Sequence, residues 1–248
     1  MHFPLTARKT AAMSLVVVLS ACTAPAPKAV PLNDPNEDAN RIYHDFNKGL
    51  DRNVIRPVAL TAKPVLDGPV GTGIKNVASN LSLPSDMLNN VLQGRLANAT
   101  HNFWRFAINS TIGIAGIFDP ATSMGLEDRS TDFGETMHIW GVGEGPFVEI
   151  PAWGPMTTRD GVGMVIDIAI DPIGLAFDGS EKAIALGASL AGRLTSRARY
   201  SDTVDSVLYD SEDSYSQSRL LYIQNRRFAL GQEAAEDDFI DPYEDYGN

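Results

Sequence analysis

Three glycines at alternate positions, Gly141, Gly143 and Gly145, lie between two aromatic residues, Trp140 and Phe147. Glycines so spaced expose backbone N–H and C=O groups without side-chain obstruction, so the stretch reads as a tight turn or as the wall of a polar passage. It is not a dinucleotide-binding turn, because it lacks the GxGxxG spacing and follows a helix signal rather than a strand. Gly187-Ala188-Ser189-Leu190-Ala191 approaches a nucleophile elbow, but its second glycine is missing and it falls inside an expected helix. His44, His101 and His138 occur at no metal-ligand spacing, and no Walker A sequence is present. No metal, no cofactor and no enzymatic activity are therefore expected. Asp167 sits in a nearly apolar surround, where it is either capped and partnered or turned toward a water-filled passage.

Cys22 is the single cysteine, and it ends an export signal. Arg8 and Lys9 precede an apolar run from Ala11 to Leu19 that is too short to span a bilayer, which gives a signal peptide over 1–21. Leu19-Ser20-Ala21-Cys22 resembles the lipobox of bacterial lipoproteins, making Cys22 a lipid-attachment point and leaving no thiol for a disulfide or a zinc set. Thr23, rather than aspartate, follows it, and in Gram-negative sorting this implies a lipid-anchored protein on the periplasmic side of the outer membrane. Pro25, Pro27 and Pro31 make residues 22–33 an extended tether. The formal charge of −11, which loss of Arg8 and Lys9 makes more negative, argues against nucleic acid as a partner. Much of the acid lies in 232–248, an expected solvated tail without fixed structure.

The elements that must position these residues are mostly helices. Asp34-Pro35-Asn36-Glu37 predicts a helix start, with Asp34 as cap and Glu37 closing a capping box, and Pro57 predicts its end. Ile42, Tyr43, Phe46 and Leu50 share one face, either packed on a core or lying in a membrane interface. Further helices are expected from Pro69 to about Leu81, from Pro84 to Gly94 and from Leu96. Asp132 caps another, which Gly141 stops; Phe147 to Ile150 has strand composition; Thr157 or Thr158 caps the next. A later helix places Ile184, Leu186, Leu190 and Leu194 inward and ends in Arg193, Arg197 and Arg199, which suit a solvated C-terminus or lipid phosphates. No alternating run of any length appears. The fold class is mostly α, with at most a short strand pair.

NDPNEDANRIYHDFNKGLDRNVIRPVA, FWRFAINSTIGIAGIFDPA, DFGETMHIWGVGEGPFVEIPAWGPMTTRD and DSYSQSRLLYIQNRRF, in this order and spacing, resemble the MlaA/VacJ family of outer-membrane lipoproteins over about 33–228. The resemblance implies a domain over 34–231 that forms a ring-like arrangement of amphipathic and short helices in one membrane leaflet, with an amphipathic channel. It further implies that phospholipid mislocalised to the outer leaflet is removed and passed to a periplasmic carrier (MlaC-like), with a trimeric porin as partner. On that implication Trp140, Gly141, Gly143, Gly145, Phe147, Arg159, Asp160 and Asp167 are channel or lipid-contact residues, and Ile42, Tyr43, Phe46 and Leu50 form the membrane-interface helix. Arg159 and Asp160 would face a zwitterionic headgroup, or Asp160 would only cap its helix. A periplasm-facing phospholipase and a purely structural lipoprotein are the alternatives.

Overall fold

In the computed structural model residues 33–232 are described; the signal peptide, Cys22, most of the tether and the acidic tail lie outside them. The helices are α1 Glu37–Leu50, α2 Arg56–Leu66, α3 Pro69–Leu92, α4 Leu96–Thr111, α5 Pro120–Ser123, α6 Phe133–Ile139, α7 Thr158–Ile170, α8 Pro172–Ala176, α9 Ser180–Arg199, α10 Ser201–Asp205 and α11 Ser214–Ala229. Strands β1 Phe147–Ile150 and β2 Gly154–Thr157 form one antiparallel pair between α6 and α7, with Phe147 opposite Thr157 and Ile150 opposite Gly154. The chain is thus mostly helical with a single short strand pair. Among the described residues no helix is long and apolar enough to cross a membrane.

Local signals set several boundaries. Asp132 caps α6 by accepting from Glu135 N, Thr157 caps α7 by accepting from Asp160 N, and Gly141, at φ +88°, stops α6. Three proline-linked expectations are corrected. Helix α1 begins at Glu37, after Asn36, and Asp34 caps nothing; its carboxylate accepts instead from Asn40, Tyr215 and Arg219. Pro57 does not end the helix, because the π-helical turn Asp51–Ile55 widens the backbone ahead of it and the chain continues directly into α2. Pro84 lies inside α3, whose packing along α4 and α9 outweighs the ~3 kcal/mol an interior proline costs.

The distribution of side chains is inverted. Two small apolar clusters are buried, one around Ala59, Leu66 and Ala198 and one around Phe147, Tyr215 and Ile223. Among the described residues, buried polar and charged side chains outnumber buried apolar ones, and they include Asn40, Asn80, Asn89, Asn90, Asn102 and Asn109. They are bonded to backbone and to one another. Asn40, for instance, donates to Phe147 O at 3.2 Å and accepts from Glu149 N at 3.0 Å, so a side chain of α1 completes the edge of β1. Large apolar residues face outward on α1, α3, α4, α7 and α9. The expectation that Ile184, Leu186 and Leu190 point inward is corrected accordingly: they are 71, 61 and 54% exposed.

Candidate functional site

A cavity of about 380 Å³ opens where α6, α7, β2, α9 and α11 meet, and its wall includes Asp132, Trp153, Asp160, Asp167, Arg193, Tyr222 and Arg226. Its polar side is organised by Arg226. This guanidinium forks onto Asp132 with two bonds of 2.7 Å and reaches Asp160 Oδ1 at 2.9 Å. Tyr222 lies one turn earlier on α11, and its hydroxyl donates to Asp160 Oδ2 at 2.5 Å. Burial raises the Asp160 pKa, but Arg226, Tyr222 and Arg159 outweigh it and hold the carboxyl below the ordinary range. Asp167 differs. Burial pushes it up, against hydrogen bonds from the Phe133 backbone N–H at 2.9 Å and Asn89 Nδ2 at 2.8 Å. Asp167 therefore both anchors the start of α6 and lines the cavity.

The residues singled out in the sequence divide between four places. Asp160 and Asp167 line the cavity. Arg159 is buried behind it, 3.4 Å from Asp160 Oδ1 and 3.4 Å from His138 Nδ1. Phe147 is in the core, packed edge-on against Tyr215 and Tyr222. Gly141, Gly143 and Gly145 form an exposed turn outside the cavity lining, with Trp140, 42% exposed, stacked edge-on against Phe133. The turn is held from below. Glu144 accepts from Arg227 at 2.7 Å, while its backbone carbonyl takes Arg159 N. Sequence reasoning passed over Tyr222 and Arg226, although their four-residue spacing puts both on one face of α11. Trp153 and Arg193 carried no positional signal that would join them.

On α1, Ile42, Tyr43 and Phe46 are exposed and Leu50 is half-buried, whereas Asn40, His44 and the following Asp51 are buried. An apolar face turned outward and a polar face turned inward suit a helix whose outer solvent is hydrocarbon. The loop after α4 repeats the pattern. Ile112, Ile114, Ile117 and Phe118 are exposed, and Ile114 and Ala115 take positive φ, 54° and 55°. For a β-branched residue that backbone is strained, and the loop is fastened to α3 by Asn76 Nδ2 on Ile117 O at 3.0 Å.

A second constellation lies between α1, β1 and α11. His44 Nε2 is 3.1 Å from Ser214 Oγ, and His44 Nδ1 is 3.7 Å from Glu149 Oε1. The order is that of a hydrolase nucleophile, base and carboxylate. All three residues are buried, however, Ser214 Oγ accepts from Lys48 Nζ at 3.0 Å, and the carboxylate is beyond hydrogen-bond reach of the ring. The group ties α1 to the start of α11.

The family model described as MlaA lipoprotein matches residues 32–229. Similar chains include the intermembrane phospholipid transport system lipoprotein MlaA of Shigella flexneri and that of Escherichia coli K12, each 32% identical over 200 residues, spanning 79% of this chain and 78% of theirs. The Haemophilus influenzae protein of the same name is 30% identical over 202 residues, 80% of this chain and 79% of that one. A solved chain from work on the structural basis for maintenance of bacterial outer membrane lipid asymmetry aligns with a TM-score of 0.68 at 32% identity, covering 79% of this chain and 98% of that chain.

Proposed function

The chain belongs to the MlaA lipoprotein family, and from that premise we propose that it removes phospholipid from the outer leaflet of the outer membrane and so maintains lipid asymmetry. The observation that carries the physical side is the inverted burial. A helical protein with a hydrogen-bonded polar interior and apolar faces outward is at home among acyl chains, and its polar cavity keeps a charged headgroup solvated, which hydrocarbon would not. In this reading the helices lie as a ring in one leaflet, α1 faces acyl chains, Asp160 and Asp167 line the passage, and the exposed turn Gly141, Gly143 and Gly145 stands at its rim beside Trp140.

The finer assignments follow the family. Residues 1–21 are the signal peptide, Cys22 carries the lipid anchor on the periplasmic side, 22–33 is the tether, 34–231 the transporting domain and 232–248 the tail. Partners are a trimeric porin and an MlaC-like carrier that takes up the extracted lipid. The protein acts as a conduit and not as an enzyme. Deleting the gene and measuring phospholipid reachable from the cell surface by an impermeant amine-reactive probe tests this: the signal should rise, and the wild-type chain should restore it. An unchanged signal rejects the proposal. The phospholipase reading has one observation in its favour, the Ser214, His44 and Glu149 constellation. It requires that purified protein release fatty acid or headgroup from phospholipid vesicles and that Ser214→Ala abolish the release.

A further inference from the structure

Arg193 lines two cavities at once. On one side it closes the wall of the inner cavity, where its Cζ lies 4.2 Å from the centroid of the Trp153 ring. On the other it lines a groove of about 400 Å³ between α3 and α9, together with Lys75, Ser79 and Ser189. One to two turns back along the same two helices, that seam becomes an apolar groove of about 500 Å³, bounded by residues such as Val70, Ile74, Ile184 and Ala188. The helices come close at Gly192, where an added Cβ would lie 2.9 Å from the Ala78 Cβ, and both residues line the polar part.

The arginine is unusual in what it lacks. Arg197, one turn on, is held by Asp51 and Asp205, and Arg226 by Asp132 and Asp160. Among the described residues Arg193, which is exposed, has neither a carboxylate nor a hydrogen-bond acceptor, and it rests on the face of Trp153. Desolvation lowers its pKa with no opposing charge beside it. An exposed guanidinium on this seam without a counter-ion is a ready site for an anion, and its planar fork fits the paired oxygens of a phosphodiester. The apolar stretch of the seam supplies what an acyl chain needs.

We propose that Arg193, backed by Trp153, holds the phosphate of a glycerophospholipid whose acyl chains lie along the α3–α9 seam, and that it is the station from which the headgroup enters the inner cavity. This rests on the transport reading and adds to it the point of lateral entry. The test uses the full-length protein in vesicles of phosphatidylethanolamine and phosphatidylglycerol, with a photoreactive benzophenone residue at Ser189. Wild type should form a covalent phospholipid adduct. Arg193→Gln should lower its yield about tenfold, the scale of one charge-assisted contact, and Arg193→Lys, which keeps the charge but not the planar fork, should restore only part of it. Diacylglycerol of the same chain length, which lacks the phosphate, should label weakly and equally in all three. Equal phospholipid adducts in wild type and Arg193→Gln at matched thermal stability would overturn the station. So would diacylglycerol labelling as strong as phospholipid, which leaves only an apolar groove, or loss of the adduct to millimolar inorganic phosphate, which assigns the site to the free ion. A deletion strain with unaltered asymmetry would instead overturn the transport reading, and does so without reference to these adducts.

Discussion

Gly163 on α7 lies so close to Gly134 on α6 that a Cβ added to Gly163 would stand 2.4 Å from the Gly134 nitrogen. A Cβ on Gly134 would in turn meet Asp160 Oδ1 at 2.5 Å and Arg226 Nη2 at 2.8 Å. The close approach of two helix backbones thus brings Asp132 and Asp160 both within bonding range of Arg226.

Gly163→Ala should therefore destabilise the protein by about 1–3 kcal/mol through overpacking against backbone that cannot yield. Gly187→Ala on α9, where an added Cβ has nothing within 4 Å, should be neutral or gain up to about 1 kcal/mol from helix propensity. Thermal melts of the two variants beside wild type check this, and equal losses would contradict the packing described.

Removing the hub cation should cost more. Arg226→Met leaves Asp132 and Asp160 without their common partner, and about 3 kcal/mol or more should be lost. In wild type the depressed Asp160 pKa contributes stability that is present above the ordinary carboxylate range and disappears as pH falls through the folded value. That acid-side loss should shrink in Arg226→Met, which melting curves between pH 2 and 5 would reveal.

Asp86 gives the opposite slope in a different window. Burial, with Asp128 and Asp167 nearby, pushes its carboxyl from the ordinary 3.8 to about 7, against hydrogen bonds from the Thr131 N–H and Ser82. Between those values the native protein holds a proton that the unfolded chain has released, so stability falls as pH rises. Asp86→Asn should flatten the melting temperature over pH 4–8; an unchanged slope would show that Asp86 is not its source.

How far the sequence reached can be judged at particular residues. Asp132, Gly141 and Thr157 mark true boundaries because capping is decided by neighbours in the chain. Pro57 and Pro84 misled for the converse reason: whether a proline breaks a helix depends on a widened turn at Asp51 or on helices packed alongside. Periodicity locates the apolar faces of α1 and α9, but a face carries no label for what it meets, so it places Ile184 and Leu190 on the wrong side. Asp167 stands out as a charge in an apolar surround and Asp160 enters through the family motif that contains it, whereas Arg193 and Trp153 meet only through tertiary packing.

The glycine turn can be tested cleanly, because Gly143 has nothing within 4 Å of an added Cβ and does not take positive φ. Gly143→Trp should reach wild-type abundance in the outer membrane. If the turn borders the passage, surface-reachable phospholipid should nevertheless rise. Normal asymmetry at equal abundance would remove the turn from the lipid route.

Photoreactive groups on α1 separate the two faces. At Phe46, 56% exposed, they should label acyl chains, and at buried Asn40 they should label protein alone. Protein-only labelling at both positions would exclude α1 from contact with lipid.

The asparagine-rich interior carries a calorimetric consequence. The heat-capacity rise on unfolding comes from apolar surface newly wetted, and exposed polar surface subtracts from it. Here little apolar surface is buried inside, and the outer apolar faces add nothing to the step so long as they stay in hydrocarbon on unfolding. The stability curve should accordingly be flat, with a small heat-capacity step and little weakening in the cold, and it should respond more to the thickness and packing of the surrounding lipid than to temperature.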